Sequence, residues 1–293
     1  MSTQAATSPG RRIKTMEVTV SEVVVETPDT VTLVYEGPDT FDYRAGQFCT
    51  IDPHQFRPLA RWIELLELLK KKKEPPRAYS MASAPHEPLA ITIKEETWTP
   101  GEQKYPTLLS PFLVHEVTAG MPMTISGFTG PYTLPDDIED KTDHIVHLCA
   151  GSGSVPNFSM LKHALRDRPR LRHTFIYSNK TWDDVIFRDA LNALAEQHAE
   201  QLRVVHSLTR QQDWSGLPGT VRKGRLTLDV LREVVPDHGT AIFYACGPAL
   251  SPWDRLAARE KGVEPTPRFM ETVHDMMKAL EVPKGRFKEE AFG

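Results

Sequence analysis

The period of the hydrophobic pattern changes part-way along the chain, and this constrains the fold more than any other feature. In the first half, apolar residues alternate over short stretches. Met16–Glu26 sets Val18, Val20, Val23 and Val25 among polar residues, and Thr30–Glu36 follows a Pro28-Asp29 turn. Phe48–Ile51, Ala78–Ala82, Leu89–Lys94 and Met123–Ser126 are further short runs bounded by Gly and Pro. Such runs predict strands, and several at this spacing predict an antiparallel barrel or sandwich. The second half alternates strands with helical segments: strands at His144–Ala150, Arg172–Tyr177, Leu202–Ser207 and Thr240–Ala245, and helices at Asn157–Arg166, Asp183–Gln197, Thr227–Val234 and Phe269–Leu280. That order predicts a parallel sheet with right-handed crossovers. The acidic, proline-containing stretch Leu134–Asp143 is the expected junction, dividing the chain into an antiparallel β-barrel domain (13–138) and an α/β domain (139–293).

Composition narrows the function. The 293 residues are 25% charged with a formal net charge of −4, which gives no reason to expect a nucleic-acid partner. No stretch approaches the roughly 20 apolar residues of a membrane span. The N-terminal Met1–Lys14 segment has no apolar core of a secretory leader, so a cytoplasmic protein is expected. Cys49, Cys149 and Cys246 are odd in number and far apart, with no CxxC pair. A disulfide framework, a zinc ribbon and an iron–sulfur cluster held by this chain alone are therefore not expected. Eleven histidines occur without HExxH, so no metal site is expected.

Three motifs carry the functional signal. Arg77-Ala78-Tyr79-Ser80 opens a strand of the β half. Ala150-Gly151-Ser152-Gly153-Ser154-Val155-Pro156 lies between the first strand and first helix of the α/β half, and Ala245-Cys246-Gly247-Pro248 closes a late strand. Their order and spacing resemble the ferredoxin–NADP⁺ reductase superfamily, within it the reductase components of multi-component oxygenases, without a fused 2Fe–2S domain. The resemblance covers about residues 13–293 and implies a flavin-binding barrel followed by an NAD(P)-binding domain. It places Tyr79 along the isoalloxazine ring, Ser80 near N5 and Arg77 at the flavin phosphate, where a planar guanidinium donates bidentately. Read alone, Tyr79 is equally a core aromatic and Arg77 a surface charge. Gly151, Ser152, Gly153 and Pro156 form the nucleotide turn, where glycines admit the backbone to pyrophosphate at a helix N-terminus. Cys246 is expected beside the nicotinamide C4, with Gly247 and Pro248 beneath the ribose.

Softer matches follow. Gly127-Phe128-Thr129-Gly130-Pro131-Tyr132 resembles the family's barrel-closing turn. Leu108-Leu109-Ser110 precedes the apolar run Phe112–Val117, similar to the family's short helix under the flavin pyrophosphate, and Ser110 is expected to cap it and contact phosphate. The family's frequent glycine three positions earlier is here Thr107. Ile93 and Lys94 belong to the expected cofactor site, Lys94 being either a second phosphate contact or a solvated strand end. Near the C-terminus, the resemblance implies that Phe292 stacks on the flavin and Glu290 orients the nicotinamide or relays a proton; the alternative is a frayed end. After the strand Arg172–Tyr177, Ser178-Asn179-Lys180 holds neither the acid that favours NAD nor the arginine cluster that favours NADP, so NADH and NADPH both stay open.

Between Gln47 and Arg77 lie 29 residues, more than the family's usual connection. Arg57–Lys73 predicts an inserted amphipathic helix, with Leu59, Ile63, Leu66 and Leu69 or Lys70 near i, i+4, i+7 spacing, ending in Lys70-Lys71-Lys72-Lys73 before Pro75-Pro76. The lysine run is read as a solvated helix end or as a docking patch for an acidic partner. The resemblance thus implies an NAD(P)H-dependent flavoprotein reductase, with FAD preferred over FMN, passing electrons to a separate ferredoxin or oxygenase. A flavin reductase or diaphorase with a small-molecule acceptor, and a non-catalytic subunit that keeps the fold, are the alternatives.

Overall fold

The computed structural model describes residues 14–37, 41–99 and 103–292. The segment before Lys14, read above as lacking a leader, and Gly293 lie outside these residues. The elements in chain order are β1 (Lys14–Thr27), β2 (Thr30–Glu36), β3 (Phe48–Ile51), α1 (Ala60–Lys70), β4 (Arg77–Ser80), β5 (Leu89–Lys94), α2 (Leu109–His115) and β6 (Pro122–Thr129), then α3 (Ile138–Lys141), β7 (His144–Ala150), α4 (Ser154–Asp167), β8 (Arg172–Asn179), α5 (Arg188–Gln197), β9 (Leu202–Leu208), β10 (Thr220–Lys223), α6 (Leu228–Val234), β11 (Ile242–Pro248), α7 (Pro252–Glu260), α8 (Phe269–Ala279) and β12 (Phe287–Phe292).

The first six strands form one antiparallel sheet in the order β4-β3-β6-β1-β2-β5. Its two edges meet through a single bridge between Met81 and Ile91, which curls the sheet into a barrel. Alternation explains it: Met16, Val18 and Val20 of β1 and Val31, Leu33 and Tyr35 of β2 point inward with Ile91 and Ile93 of β5. The other six strands form a parallel sheet in the order β10-β9-β8-β7-β11-β12. Every residue of β7 is buried, as a central parallel strand covered on both faces must be. The two-layer plan is therefore the expected one.

Local differences have identifiable causes. The helix expected over Asp183–Gln197 begins only at Arg188. Thr181 and Asp184 close a capping box around a short 3₁₀ turn, and Val185–Phe187 then dip into the core, where Phe187 stacks on Phe158 with ring centroids 4.2 Å apart. α7 went unread although Ser251 and Asp254 cap it reciprocally with Pro252 in its first turn, a signal present in the sequence. β10 is four residues long on the sheet edge, and its alternation is too short to register. The inserted segment is two 3₁₀ turns followed by α1, which buries Ile63 and Leu66. Phe56, just before it, packs on Phe112 of α2 at 4.8 Å between ring centroids. Among the described residues, no helix is long and apolar enough to cross a membrane.

Candidate functional site

The nucleotide turn is built by close approach. β7 ends at Ala150, and Gly151 takes a left-handed backbone (φ +53) that turns the chain into α4. Gly153 touches the end of β11 so tightly that a Cβ there would lie 2.1 Å from the Cys246 carbonyl oxygen. The Tyr177 hydroxyl, 2.9 Å from both the Gly151 carbonyl and the Ser154 hydroxyl, ties the turn to β8. The N-terminus of α4, with its free N–H groups, therefore opens beside the C-terminal ends of β7, β8 and β11. A cavity of about 1060 Å³ lies there, lined by Gly151, Ser152, Ser178, Asn179, Lys180, Pro248 and Phe292, by Arg210 and Arg225, and by Lys94 from the barrel. The Arg210 N–H donates to the Lys180 carbonyl at 2.7 Å and holds those two basic residues together.

On the barrel side, Arg77, Ala78, Tyr79 and Ser80 occupy β4, with Ser80 buried and Tyr79 partly buried. Arg77 is not a free surface charge. Its Nη2 donates to Glu74 Oε2 at 3.0 Å and its Nη1 to the Pro75 carbonyl at 2.7 Å. Glu74 is 1% exposed and also accepts from Lys70 Nζ at 2.5 Å. Two of the five guanidinium N–H donors are engaged, and the rest are available to a phosphate. Lys94 likewise donates to both oxygens of Asp29, at 2.5 and 2.6 Å. Burial works against the Asp29 charge, but hydrogen bonds from Lys94, Thr27 and Thr30 hold its carboxyl below the ordinary range. Ile93 is buried inside the barrel. Ser110 departs from expectation: it lies inside α2 rather than capping it. Its hydroxyl accepts the Glu96 N–H at 3.0 Å, which holds the following loop against the helix.

The last strand joins the two sides. β12 runs parallel to β11, pairing Glu290 with Cys246 and Pro248 with Phe292. The tail is thus an ordered strand, not a frayed end. Burial pushes the Glu290 carboxyl up to about 7, and its Oε2 has no hydrogen-bond partner among the described residues. The Cys246 thiol is fully buried, and burial, then the neighbouring Glu290 and Cys149, raise it well above its ordinary range. It stays a neutral thiol, so its contribution is contact rather than nucleophilic attack. Burial takes His147 and His206 to about 4 and leaves both neutral. Burial thus brings the Glu290 carboxyl into the range where it changes protonation near neutral pH.

Eight predicted residues meet in the cavity: Lys94, Gly151, Ser152, Ser178, Asn179, Lys180, Pro248 and Phe292. Cys246 and Glu290 pair beneath it, while Arg77, Tyr79 and Ser80 stand on β4, outside its lining. The sequence reading missed Asp29, which meets Lys94 from 65 residues away, and Glu74, whose spacing of four from Lys70 and three from Arg77 was the signal available. It also passed over His163 and Asp167, one turn apart on α4. With His86 they bring ligand-type atoms within 4.8 Å of one another, away from the cavity.

Comparison with known proteins agrees with this geometry. Residues 148–250 match the model of the oxidoreductase NAD-binding domain family. The ferredoxin reductase component of a 3-ketosteroid-9-alpha-monooxygenase from Rhodococcus rhodochrous is 29% identical, over 94% of this chain and 64% of that protein. Over most of its length the chain is thus similar to a ferredoxin reductase component, and residues 148–250 match a nucleotide-binding domain. It spans a little under two thirds of the length of that relative. The same fold is seen in ferredoxin–NADP⁺ reductase from Plasmodium falciparum, with TM-score 0.65 and 16% identity over 95% of this chain and 96% of that one. It is seen too in the FAD/NAD-binding domain of nitric oxide dioxygenase from Vibrio cholerae, with TM-score 0.69 and 20% identity over 95% of this chain and 98% of that one.

Proposed function

We propose that this chain is an NAD(P)H-dependent flavoprotein reductase that passes electrons from a reduced nicotinamide, through FAD, to a separate acceptor protein such as a ferredoxin or an oxygenase. The observation that carries the reading is that one cavity is lined from both sheets: Lys94 from the barrel, and the Gly151–Ser152 turn, Pro248 and the β12 residue Phe292 from the parallel sheet.

The residues fit both groups. The cavity is large enough for a dinucleotide, and its Gly151 turn and α4 N-terminus suit a pyrophosphate. On the barrel, Arg77 keeps donors for a flavin phosphate and Tyr79 offers a partly buried ring as a wall. A bound flavin supplies the conversion of a two-electron hydride into single electrons. The protein's part is to hold and orient. Ser80 offers a hydroxyl at the end of β4. Cys246 and Gly247 form the floor on which Gly153 closes. Phe292 lines the cavity with its aromatic ring, and Glu290, paired with Cys246, holds or releases a proton. FAD is assigned because the chain shares its fold with an FAD/NAD-binding domain. The separate acceptor is assigned because the Rhodococcus relative is named a component of a monooxygenase.

Anaerobic rapid mixing with NADH and with NADPH, followed by visible flavin absorbance, tests the reading. Rapid bleaching by either nucleotide is expected. A protein that retains no flavin on reconstitution with FAD or FMN, or whose flavin neither nucleotide bleaches, overturns it. Steady release of free reduced flavin would favour the flavin-reductase alternative.

A further inference from the structure

The exposed side of α1 has no structural employment. The helix buries Ile63 and Leu66, together with the preceding Leu59, against the barrel. One such face is all that anchoring requires. Yet the exposed side flanking that face is also apolar. Trp62, Leu65 and Leu69 fall at i, i+3 and i+7 with Leu68 beside them, and they are 57%, 44%, 54% and 75% exposed. Four large apolar side chains on one short helix form a patch of the kind that marks an interaction site.

The surroundings of the patch are basic. Arg57, Arg61, Lys71 and Lys72 are exposed and have no ion-pair partner among the described residues. Lys73 lies near Asp52, and Lys70 is committed to Glu74. The nearby acids are largely occupied: Glu67 accepts from His54 Nε2 and from the Glu74 N–H, both at 2.9 Å, and only Glu64 on this helix is exposed and unpaired among the described residues. The patch is also tied to the flavin side of the molecule. The chain runs from Lys70 at the end of α1 into β4, and the Lys70–Glu74–Arg77 ion chain spans that step.

We propose that this face of α1 is the docking surface for an acidic electron-carrier protein that presents an apolar patch ringed by carboxylates. The inference rests on the reading that electrons leave this chain for a separate protein. An apolar centre with a basic rim gives contact energy and orientation to such a partner, and the rim steers its approach. Trp, Leu and Lys on one helix also suit a membrane surface. A protein partner is favoured because Ile63 and Leu66 already commit the helix to the barrel, so it is not free to sink its apolar residues into a bilayer interface.

The test uses the flavin-loaded protein, a plant-type 2Fe–2S ferredoxin as the acidic carrier and ferricyanide as an acceptor that needs no docking. The surface variant is Trp62→Ser/Leu65→Ser/Leu69→Ser, with Lys71→Glu/Lys72→Glu as a charge-reversed second variant. Both are expected to raise the KM for ferredoxin by about tenfold or more while ferricyanide reduction is unchanged. Added salt is expected to weaken the wild-type interaction. Calorimetric titration of oxidised ferredoxin should show the same ranking and reads docking without turnover. Unchanged ferredoxin affinity in both variants, or no ferredoxin binding by the wild type, overturns the proposal. So does binding to anionic phospholipid vesicles, or a self-association, that the apolar variant abolishes while ferredoxin affinity stays the same. Loss of ferricyanide reduction in the wild type would instead remove the reductase reading, and the calorimetry would still decide the docking surface.

Discussion

Glu290 carries a titration that folding stability should report. Burial beside Cys246 lifts its carboxyl from the ordinary 4.5 to about 7. The unfolded chain gives up this proton near 4.5 and the folded protein near 7. Between those values the folded state binds more protons, so stability falls as pH rises through the window, and the loss is complete above the folded value. At 1.36 kcal/mol per pH unit the separation corresponds to about 3 kcal/mol. The side chain keeps partial contact with water, and screening reduces the expected effect to about 1–2 kcal/mol. Glu290→Gln keeps the shape and removes the charge. Any cost of burying the amide is the same at every pH, so the informative quantity is how the difference between the two proteins changes. Urea unfolding should show the variant gaining about 1–2 kcal/mol on the wild type between about pH 5 and about pH 8. A difference that stays flat, or that shrinks toward alkaline pH, would show that Glu290 is not held protonated by burial, and its assignment as the proton-exchanging group would fall with it.

Three further outcomes are expected. Arg77→Ala should weaken binding of FMN and FAD by about 1.5–3 kcal/mol but leave riboflavin, which lacks a phosphate, nearly unaffected in a fluorescence titration; equal losses for all three would deny Arg77 a phosphate role. Cys246→Ser should keep the flavin spectrum but slow its bleaching by reduced nicotinamide by an order of magnitude or more, since small displacements at a reacting centre are costly; an unchanged rate would separate the cysteine from the site. Gly153→Ala should destabilise the protein by about 1–3 kcal/mol in thermal unfolding, because its Cβ would overlap the Cys246 carbonyl; an unchanged midpoint would mean that the turn and β11 can move apart freely.

What the sequence by itself determined was the plan. The switch from alternating runs to strand–helix repeats is a local property, and it predicted an antiparallel barrel followed by a parallel sheet. β2, β3, β5 and β7 have the predicted boundaries, because each is a short run that its own side chains place inside or outside. The Gly151–Pro156 and Cys246–Pro248 motifs were legible for the same reason: a left-handed glycine or a backbone contact leaves a residue-type signature in place. Three things were decided only by tertiary structure. The first is the state of the cations: Lys94 meets Asp29 across 65 residues of chain, and Glu74, although only three residues from Arg77, is buried beside it by the fold. The second is the placement of the tail: the resemblance marked Glu290 and Phe292 as site residues, but only the fold pairs Phe287–Phe292 with β11 and buries Glu290 opposite Cys246. The third is α1: the spacing of Leu59, Ile63 and Leu66 already marked an apolar face, which the structure buries, but only the barrel's packing leaves Leu69, with Trp62, Leu65 and Leu68, facing water. The physical reason is common to all three. Hydrophobic period and backbone conformation are written along the chain, whereas charge pairing and desolvation depend on which distant surfaces the fold brings together.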